Sequence, residues 1–343
     1  MVNLTKASRE LFRRTPDERF HSFDALLAHC HERRERSDEY WQLSQDLRIE
    51  QQPEGLRLRL GDAEEAPLSL SDWSFTQLCK LCGVQKDTVN KLTSETASRV
   101  FRDTMPHSRK PLQVYAAADT ALAVHSSTYS RLFDAEVLEA VREAAPDFTP
   151  PPTGIGGATG LYAGEQDMFA FGIDPAGWVE INGENFAPGF FVWNSEVGRR
   201  SVGVQTFWYQ EICQNHIVWD AIEVVELKRR HIGDVREALH DVRGAIAQLV
   251  KKRDERRDSF ANGIRTAMQT PFGEDAEEVR KQLAKHGVSS RLAEQVMQVA
   301  EQQASFSVFG IVDAMTRLAG RYENAGDRLL VDQKAASLLS LAA

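Results

Sequence analysis

The apolar and polar positions between residues 189 and 219 form the stretch around which the chain is organised, and it contains three of the six tryptophans. Within it, two apolar segments at 190–193 and 201–207 flank the polar segment 194–200. Short apolar segments that are separated by turn-forming residues are typical of antiparallel strands. The pattern therefore predicts a hairpin at the centre of the chain, with its turn at 194–200.

Other segments show the apolar periodicity of a strand or that of a helix. Alternating or short apolar runs predict further strands at 55–60, 112–119, 121–126, 160–163, 168–173 and 178–181. Apolar residues spaced three and four apart predict helices beginning after Ser22 and near Phe75, a helix at 135–144 capped by Asp134, and helices at 276–285, 290–302, 307–318 and 333–341. Strands that follow one another through short turns favour antiparallel hairpins over strand–helix–strand units.

One long helix is predicted between Glu226 and Arg257. Its apolar residues are spaced alternately three and four apart, as in a coiled-coil seam: Ile232, Val235, Leu239, Val242, Ile246 and Leu249. The same region holds ten Lys/Arg and six Asp/Glu, a local charge of +4. The seam predicts assembly into a homo-oligomer, and the charge favours an acidic partner.

Together these elements predict an α+β fold. It consists of an antiparallel sheet with flanking helices, followed by the long helix and a helical C-terminal region. We expect a charged helical N-terminal region at 1–60, an α+β core domain at 61–225, and the long helix with the helical C-terminal region at 226–343.

Composition narrows the class of protein. A net charge of −9 provides no overall basic field, so contact with nucleic acid requires a local basic surface. Four cysteines in 343 residues are too few for a disulfide scaffold, and neither a secretion signal nor a membrane span is indicated. We therefore expect a cytoplasmic protein without a membrane partner.

A single-stranded DNA site is the leading functional hypothesis. The cations that follow the central hairpin are candidates for phosphate contacts: Arg199, Arg200, Lys228, Arg229 and Arg230. Cations are unfavourable at a helix N-terminus, so those that open the predicted long helix indicate an external anion. Trp208 and Tyr209 are candidate platforms for base stacking, whereas core packing is the stronger interpretation of Trp193.

A duplex-binding alternative rests on residues 74–92, where two predicted helices flank a Gly-Val turn. In a helix-turn-helix, the start of the second helix would place Lys86 and Lys91, together with Thr88 and Asn90, near the major groove. A third hypothesis is a non-catalytic interaction protein that assembles through the heptad seam. Each of these alternatives remains open from the sequence.

The sequence gives little support for a catalytic site or a metal site. A zinc site is conceivable from paired ligands, Cys79 with Cys82 and Cys213 with His216, but Cys79 and Cys82 already lie on an apolar helix face. Cys213 and His216 lack an identifiable orienting carboxylate. We therefore predict no catalytic residue, no metal and no cofactor.

The chain resembles a family of uncharacterised phage- and plasmid-associated proteins, domain of unknown function 932. The resemblance rests on five segments between residues 70 and 320: Leu70–Cys79, Leu122–Asp134, Trp193–Gly198, Ile212–His216, and Arg229–Gly233 followed by Phe309–Thr316. The family more often has glycine at position 216 and asparagine at position 313. Its association with mobile elements implies a role in DNA replication, recombination or defence. Its order of strands before helices is similar to that of single-strand annealing proteins.

Overall fold

The structure is a computed structural model that describes residues 10–53, 55–61, 66–153, 159–211, 215–217, 227–229, 234–303 and 305–342. The strands in these residues are β1 (Glu18–Arg19), β2 (Ser37–Gln42), β3 (Leu47–Gln52), β4 (Gly55–Leu60), β5 (Leu68–Leu70), β6 (Leu112–Ala117), β7 (Thr120–Ser126), β8 (Leu161–Ala163), β9 (Met168–Ile173), β10 (Val179–Ile181), β11 (Glu184–Asn194), β12 (Val202–Gln210), β13 (Asn215–Ile217) and β14 (Leu227–Arg229). The helices are α1 (Phe23–Glu35), α2 (Asp72–Leu81), α3 (Lys86–Val89), α4 (Ser94–Thr104), α5 (Asp134–Ala144), α6 (Val235–Lys251), α7 (Arg253–Gln269), α8 (Ala276–Lys285), α9 (Ser290–Gln303), α10 (Val308–Ala319) and α11 (Ala325–Leu339).

The larger sheet is built around the predicted central hairpin, β11 and β12. Its strand order is β1-β8-β9-β11-β12-β13, with β10 paired to β11 and β14 paired to β12, and every pair is antiparallel. Helices α1, α5 and α6 pack on one face of this sheet, and α11 packs on the other. All nine residues of β12 are buried as a result. The α+β prediction is confirmed.

The smaller sheet has the strand order β2-β6-β7-β5-β4-β3, antiparallel except for the parallel β5–β7 pair. Its two edge strands, β2 and β3, are joined by only four residues, which span at most about 18 Å. Six strands in a flat sheet would place those edges about 24 Å apart. The sheet must therefore curl. Its inner face packs against α2 and α4 through Phe75 and Phe101.

Each of the two predicted boundaries separates strands that pair with each other in the structure. β4 pairs with β5 across the boundary at residue 60, and β14 pairs with β12 across the boundary at residue 225. Residues 1–60 also contain β2, β3 and β4 in addition to α1. The two sheets, rather than the three predicted regions, are thus the units of the architecture.

The prediction of one long helix is wrong. Leu227–Arg229 forms strand β14, α6 begins at Val235, and the chain leaves helical geometry at Lys252 before α7. The seam residues Val242, Ile246 and Leu249 are buried against α5 and the larger sheet of the same chain. Because the seam is satisfied internally, it no longer supports a homo-oligomer.

The segment at residues 11–17 ties the two sheets together. The backbone N–H of Phe12 donates to Asn90 Oδ1 (2.8 Å), and Asn90 Nδ2 donates back to the carbonyl oxygen of Phe12 (2.9 Å). Farther along, Asp17 Oδ2 accepts a hydrogen bond from the backbone N–H of Ala325 (2.8 Å) at the start of α11.

None of the described helices combines the length and apolar character that a membrane span requires.

Candidate functional site

The two arginines of the predicted phosphate-binding turn have different surroundings. Arg199 is exposed, and its guanidinium lies 5.4 Å from the centre of the Trp73 ring. Arg200 is mostly buried and forms an ion pair with Asp167 (3.1 Å), which is itself 2% exposed. The charge of Arg200 is therefore balanced within the protein, so only Arg199 remains available at this turn.

The predicted base-stacking residues lie in the core. Trp208 is 2% exposed and stacks on Phe260, with ring centres 3.9 Å apart and planes 5° apart. Tyr209 is 1% exposed on the opposite face of β12. Neither ring is accessible to a base in this structure, because helices cover both faces of β12. Trp193 is likewise buried, as its core interpretation requires.

The basic run at 228–230 does not begin a helix. Lys228 and Arg229 belong to β14, where they pair with Gly203 and Val202 of β12. Their side chains and the whole of Arg230 lie outside the described residues. Lys228 and Arg229 therefore do not lie at a helix N-terminus, and their charge there no longer indicates an external anion.

The helix-turn-helix prediction is wrong in its second helix. α3 has only four residues, and a new helix, α4, begins after Thr93, whose side chain caps it by accepting from Thr96 N. Lys86 forms an ion pair with Asp72 (2.7 Å), while Lys91 is exposed in the interhelical segment. A four-residue helix provides about one turn, too little to lie along a major groove.

The proposed zinc ligands are not assembled in the described part of the chain. Cys79 and Cys82 are buried in the core between α2, α4 and the smaller sheet. Cys213 lies outside the described residues, as does the side chain of His216. The apolar-face interpretation of Cys79 and Cys82 accounts for their position.

The turn between β11 and β12 is a buried polar joint between the two sheets. Asn194 Nδ2 donates to Asp134 Oδ1 (2.7 Å), and Ser195 Oγ donates to the carbonyl oxygen of Gln166 (2.6 Å). Gly198 closes the turn at φ +71°, a conformation that glycine adopts without strain. The sequence predicts a polar turn, but not the burial of its first four residues, 194–197.

Glu196 is the centre of this joint and is 2% exposed. Its Oε1 accepts from the backbone N–H of Asp134 (2.9 Å), its Oε2 accepts from the hydroxyl of Tyr115 (2.9 Å), and Arg33 Nε lies 3.4 Å from Oε2. Arg131 donates to its carbonyl oxygen. Burial, followed by the negative charge of Glu196, raises the pKa of Asp134 well above its ordinary value, against the opposing effect of Arg33.

Three of the segments that carry the family resemblance converge on this joint. Trp73 Nε1 donates to the carbonyl oxygen of Val197 (2.7 Å), and the hydroxyl of Tyr129 donates to that of Glu196 (3.0 Å). Residues 70–79, 122–134 and 193–198 are thus brought together. The side-chain oxygens of Glu196 are bonded to the protein itself, which is the arrangement of a structural connection rather than of a reactive group.

A second feature is a groove between β3 and α4, which we call the β3–α4 groove. It encloses about 460 Å³ and is lined by Gln45, Leu47, Arg48, Ile49, Glu50, Gln51, Ser98, Arg102, Met105 and His107. Five of these residues are consecutive in β3. Because neighbouring side chains of a strand point to opposite faces, a wall of consecutive residues indicates that the groove follows the edge of the strand.

The surroundings of the β3–α4 groove are basic. Residues 99–110 contain four Lys/Arg and one Asp, a local charge of +3 in a chain whose total is −9. Arg102, Arg109 and Lys110 are exposed. Asp103, the carboxylate within this segment, pairs with Arg102 at 3.4 Å, with both side chains 71% exposed, and such surface pairs hold their partners weakly. Two further carboxylates lie nearby: Glu95 pairs with Arg99, and Glu50 of the groove lining pairs with Arg59. The segment 99–110 therefore supplies a local excess of positive charge next to residues that line the groove.

Comparison with known proteins found no matching family model, no similar curated protein and no similar solved structure. The resemblance to the phage- and plasmid-associated family therefore stays a prediction.

Proposed function

We propose that this protein binds DNA, with single-stranded DNA favoured, along the β3–α4 groove. The observation that carries the proposal is the coincidence of a sizeable groove with the basic segment 99–110. Exposed cations beside a groove can follow a phosphate backbone, and the release of counterions from the DNA then drives association. The proposal moves the site from the predicted turn arginines to the smaller sheet.

The acidic total charge is compatible with this site. Elsewhere the net negative charge repels a polyanion, whereas the positive segment 99–110 attracts it, so the field of the protein directs the strand to one face. One wall of the groove is the edge of β3, and residues of α4 together with Met105 and His107 form the other.

Removal of two groove cations tests the proposal. In the double variant Arg102→Ala and Arg109→Ala, we expect weaker binding of fluorescein-labelled oligothymidylate and a slope of log affinity against log salt that is shallower by about 1.4, from about 0.7 for each lost phosphate contact. Fluorescence anisotropy over a range of salt concentrations measures both quantities, with a duplex of equal length as the competing ligand.

A matched control removes two exposed cations from the helical C-terminal region, far from residues 99–110 in sequence. The control substitutions are Arg280→Ala in α8 and Arg291→Ala in α9. This variant changes the net charge equally and should leave the salt slope unchanged. Equal slopes for the groove variant, the control and the wild type would rule out the β3–α4 groove. A shallower salt slope in the variant Arg199→Ala, with no change in the groove variant, would instead indicate that DNA binds at the predicted turn.

A further inference from the structure

We infer that the free main-chain edge of β3 recognises the Watson–Crick edge of unpaired bases in the β3–α4 groove. This inference rests on the proposed function and adds to it the part of the nucleotide that the groove recognises. It also provides a chemical reason for a preference for single strands. Three observations support it: the hydrogen-bond register of β3, the location of the groove, and the charge beside it.

The register of β3 determines which main-chain groups face the groove. Within the described strands β3 pairs only with β4, and Gln52 opposite Gly55 closes their tight hairpin. In an antiparallel pair, residues that bond to the partner strand alternate with residues whose N–H and C=O point away from it. Counting back from Gln52, the residues that point away from β4 are Gln51, Ile49 and Leu47.

Two hydrogen bonds confirm this alternation. Ser98 Oγ of α4 donates to the carbonyl oxygen of Ile49 (2.6 Å), and the backbone N–H of Leu47 donates to the carbonyl oxygen of Ser44. Both bonds lie on the side away from β4. The remaining groups on that side are the C=O of Leu47, the N–H of Ile49, and both the N–H and C=O of Gln51. No described residue bonds to these four groups.

The groove coincides with this edge. The side chains of Leu47 and Ile49 are buried in the core, 3% and 6% exposed, yet both residues line the groove. They therefore contribute mainly backbone to its wall. The unbonded groups of Gln51 lie in the same wall, accessible to a ligand that enters the groove.

The geometry of these groups matches a nucleobase. A single extended residue that points its N–H and C=O in the same direction offers one donor and one acceptor side by side. Every base carries an adjacent donor and acceptor on its Watson–Crick edge, and in a duplex the opposite base occupies them. Only an unpaired base can therefore bond to Gln51 in this way, and the recognition tolerates any sequence.

An extended peptide could also pair with a free strand edge, and the charges decide between the two ligands. Arg102 lines the groove, and Arg109 and Lys110 are exposed in the segment that follows. These cations suit a ligand with a negative charge at each repeating unit, which a phosphodiester backbone has and an ordinary peptide lacks. We therefore assign the edge to nucleic acid. Strand pairing with a second copy of the chain becomes an outcome of the test.

The test compares Gln51→Pro with Gln51→Ala. Proline removes the outward N–H while leaving the β3–β4 bonds in place, since proline is tolerated at outward positions of edge strands. Alanine removes only the side chain. The probes are labelled oligodeoxycytidylate and an abasic deoxyribose-phosphate strand of equal length, and binding is measured by anisotropy.

We expect wild type and Gln51→Ala to bind oligodeoxycytidylate about tenfold more tightly than the abasic strand. Gln51→Pro should bind both strands at the abasic level. Amide hydrogen exchange on the wild type provides a second readout without mutation. The N–H groups of Ile49 and Gln51 should gain protection with oligodeoxycytidylate and not with the abasic strand.

Other results would overturn the inference in distinguishable ways. Equal affinity of the wild type for both strands, without protection of Gln51, rejects base recognition and leaves the proposed function intact. Failure of both strands to bind rejects the proposed function itself. Concentration-dependent self-association of the DNA-free wild type that Gln51→Pro abolishes assigns the edge to a second copy of the chain.

Discussion

Glu196→Ala is expected to lower the free energy of unfolding by about 3–5 kcal/mol, the cost of removing one partner from a buried ion pair. The substitution leaves Arg33, whose side chain is 14% exposed, without its carboxylate. It also leaves the Tyr115 hydroxyl and the Asp134 backbone N–H without their acceptor inside the protein. Urea denaturation followed by circular dichroism measures the change.

The control for this prediction is Glu95→Ala. Glu95 pairs with Arg99 on the surface of α4, with side chains 59% and 63% exposed, and such helix pairs contribute only about 0.3–0.5 kcal/mol. A loss below about 1 kcal/mol in Glu196→Ala would show that the joint between the sheets does not depend on this carboxylate.

The stability of the protein should fall as the pH rises from about 4 to about 7, and Asp332 should be a main cause. Burial raises the pKa of Asp332 to about 7 from its ordinary 3.8, against the opposing effect of Arg328, which lies 3.5 Å away. The folded state therefore binds the proton more tightly than the unfolded state. The contribution of Asp332 to the free energy of unfolding is therefore complete below about pH 4 and is lost as the pH rises through 7. The difference corresponds to an effect on the order of 4 kcal/mol.

Asp332→Asn isolates this effect, because asparagine keeps the shape of the protonated acid and cannot ionise. Relative to the wild type, the variant should gain stability between about pH 4 and pH 7, as measured by urea denaturation at a series of pH values. Asp103→Asn, a substitution of an exposed carboxylate, should follow the wild type at every pH. If the free energy of unfolding changed with pH equally in Asp332→Asn and in the wild type, the raised pKa of Asp332 would be contradicted.

Much of the fold could be predicted because its elements obey local periodicities. The segments 55–60, 168–173 and 276–285 coincide with β4, β9 and α8, since each has a regular apolar pattern bounded by turn or cap residues. The pattern of α6 was also visible, but its break at Lys252 was not, because the polar residues there continue a helical composition. A break of that kind depends on tertiary packing.

The failures at the predicted site have a common physical origin. A strand that is covered on both faces is apolar throughout, so the aromatic residues of β12 looked like exposed platforms when they are core residues. Lys228 and Arg229 were assigned to a helix because only their pairing with β12, 25 or so residues away in sequence, makes them a strand.

The features now proposed as functional left little signal in the sequence. The β3–α4 groove joins residues near 48 with residues near 102, and no local pattern links segments that far apart. Glu196 left a weak signal: a carboxylate within a short polar run between two long apolar strands. Its role became visible only with Tyr115, Asp134 and Arg33 around it.

The hydrogen bond from Ala325 to Asp17 has a consequence for how the chain is made. Its two partners are 308 residues apart, so closing that loop alone costs about 5 kcal/mol of chain entropy. The ribosome adds Asp17 to the chain 308 residues before it adds Ala325. During translation α11 can therefore acquire this hydrogen bond only after the strands β1 to β14 and the helices α1 to α10 have been synthesised.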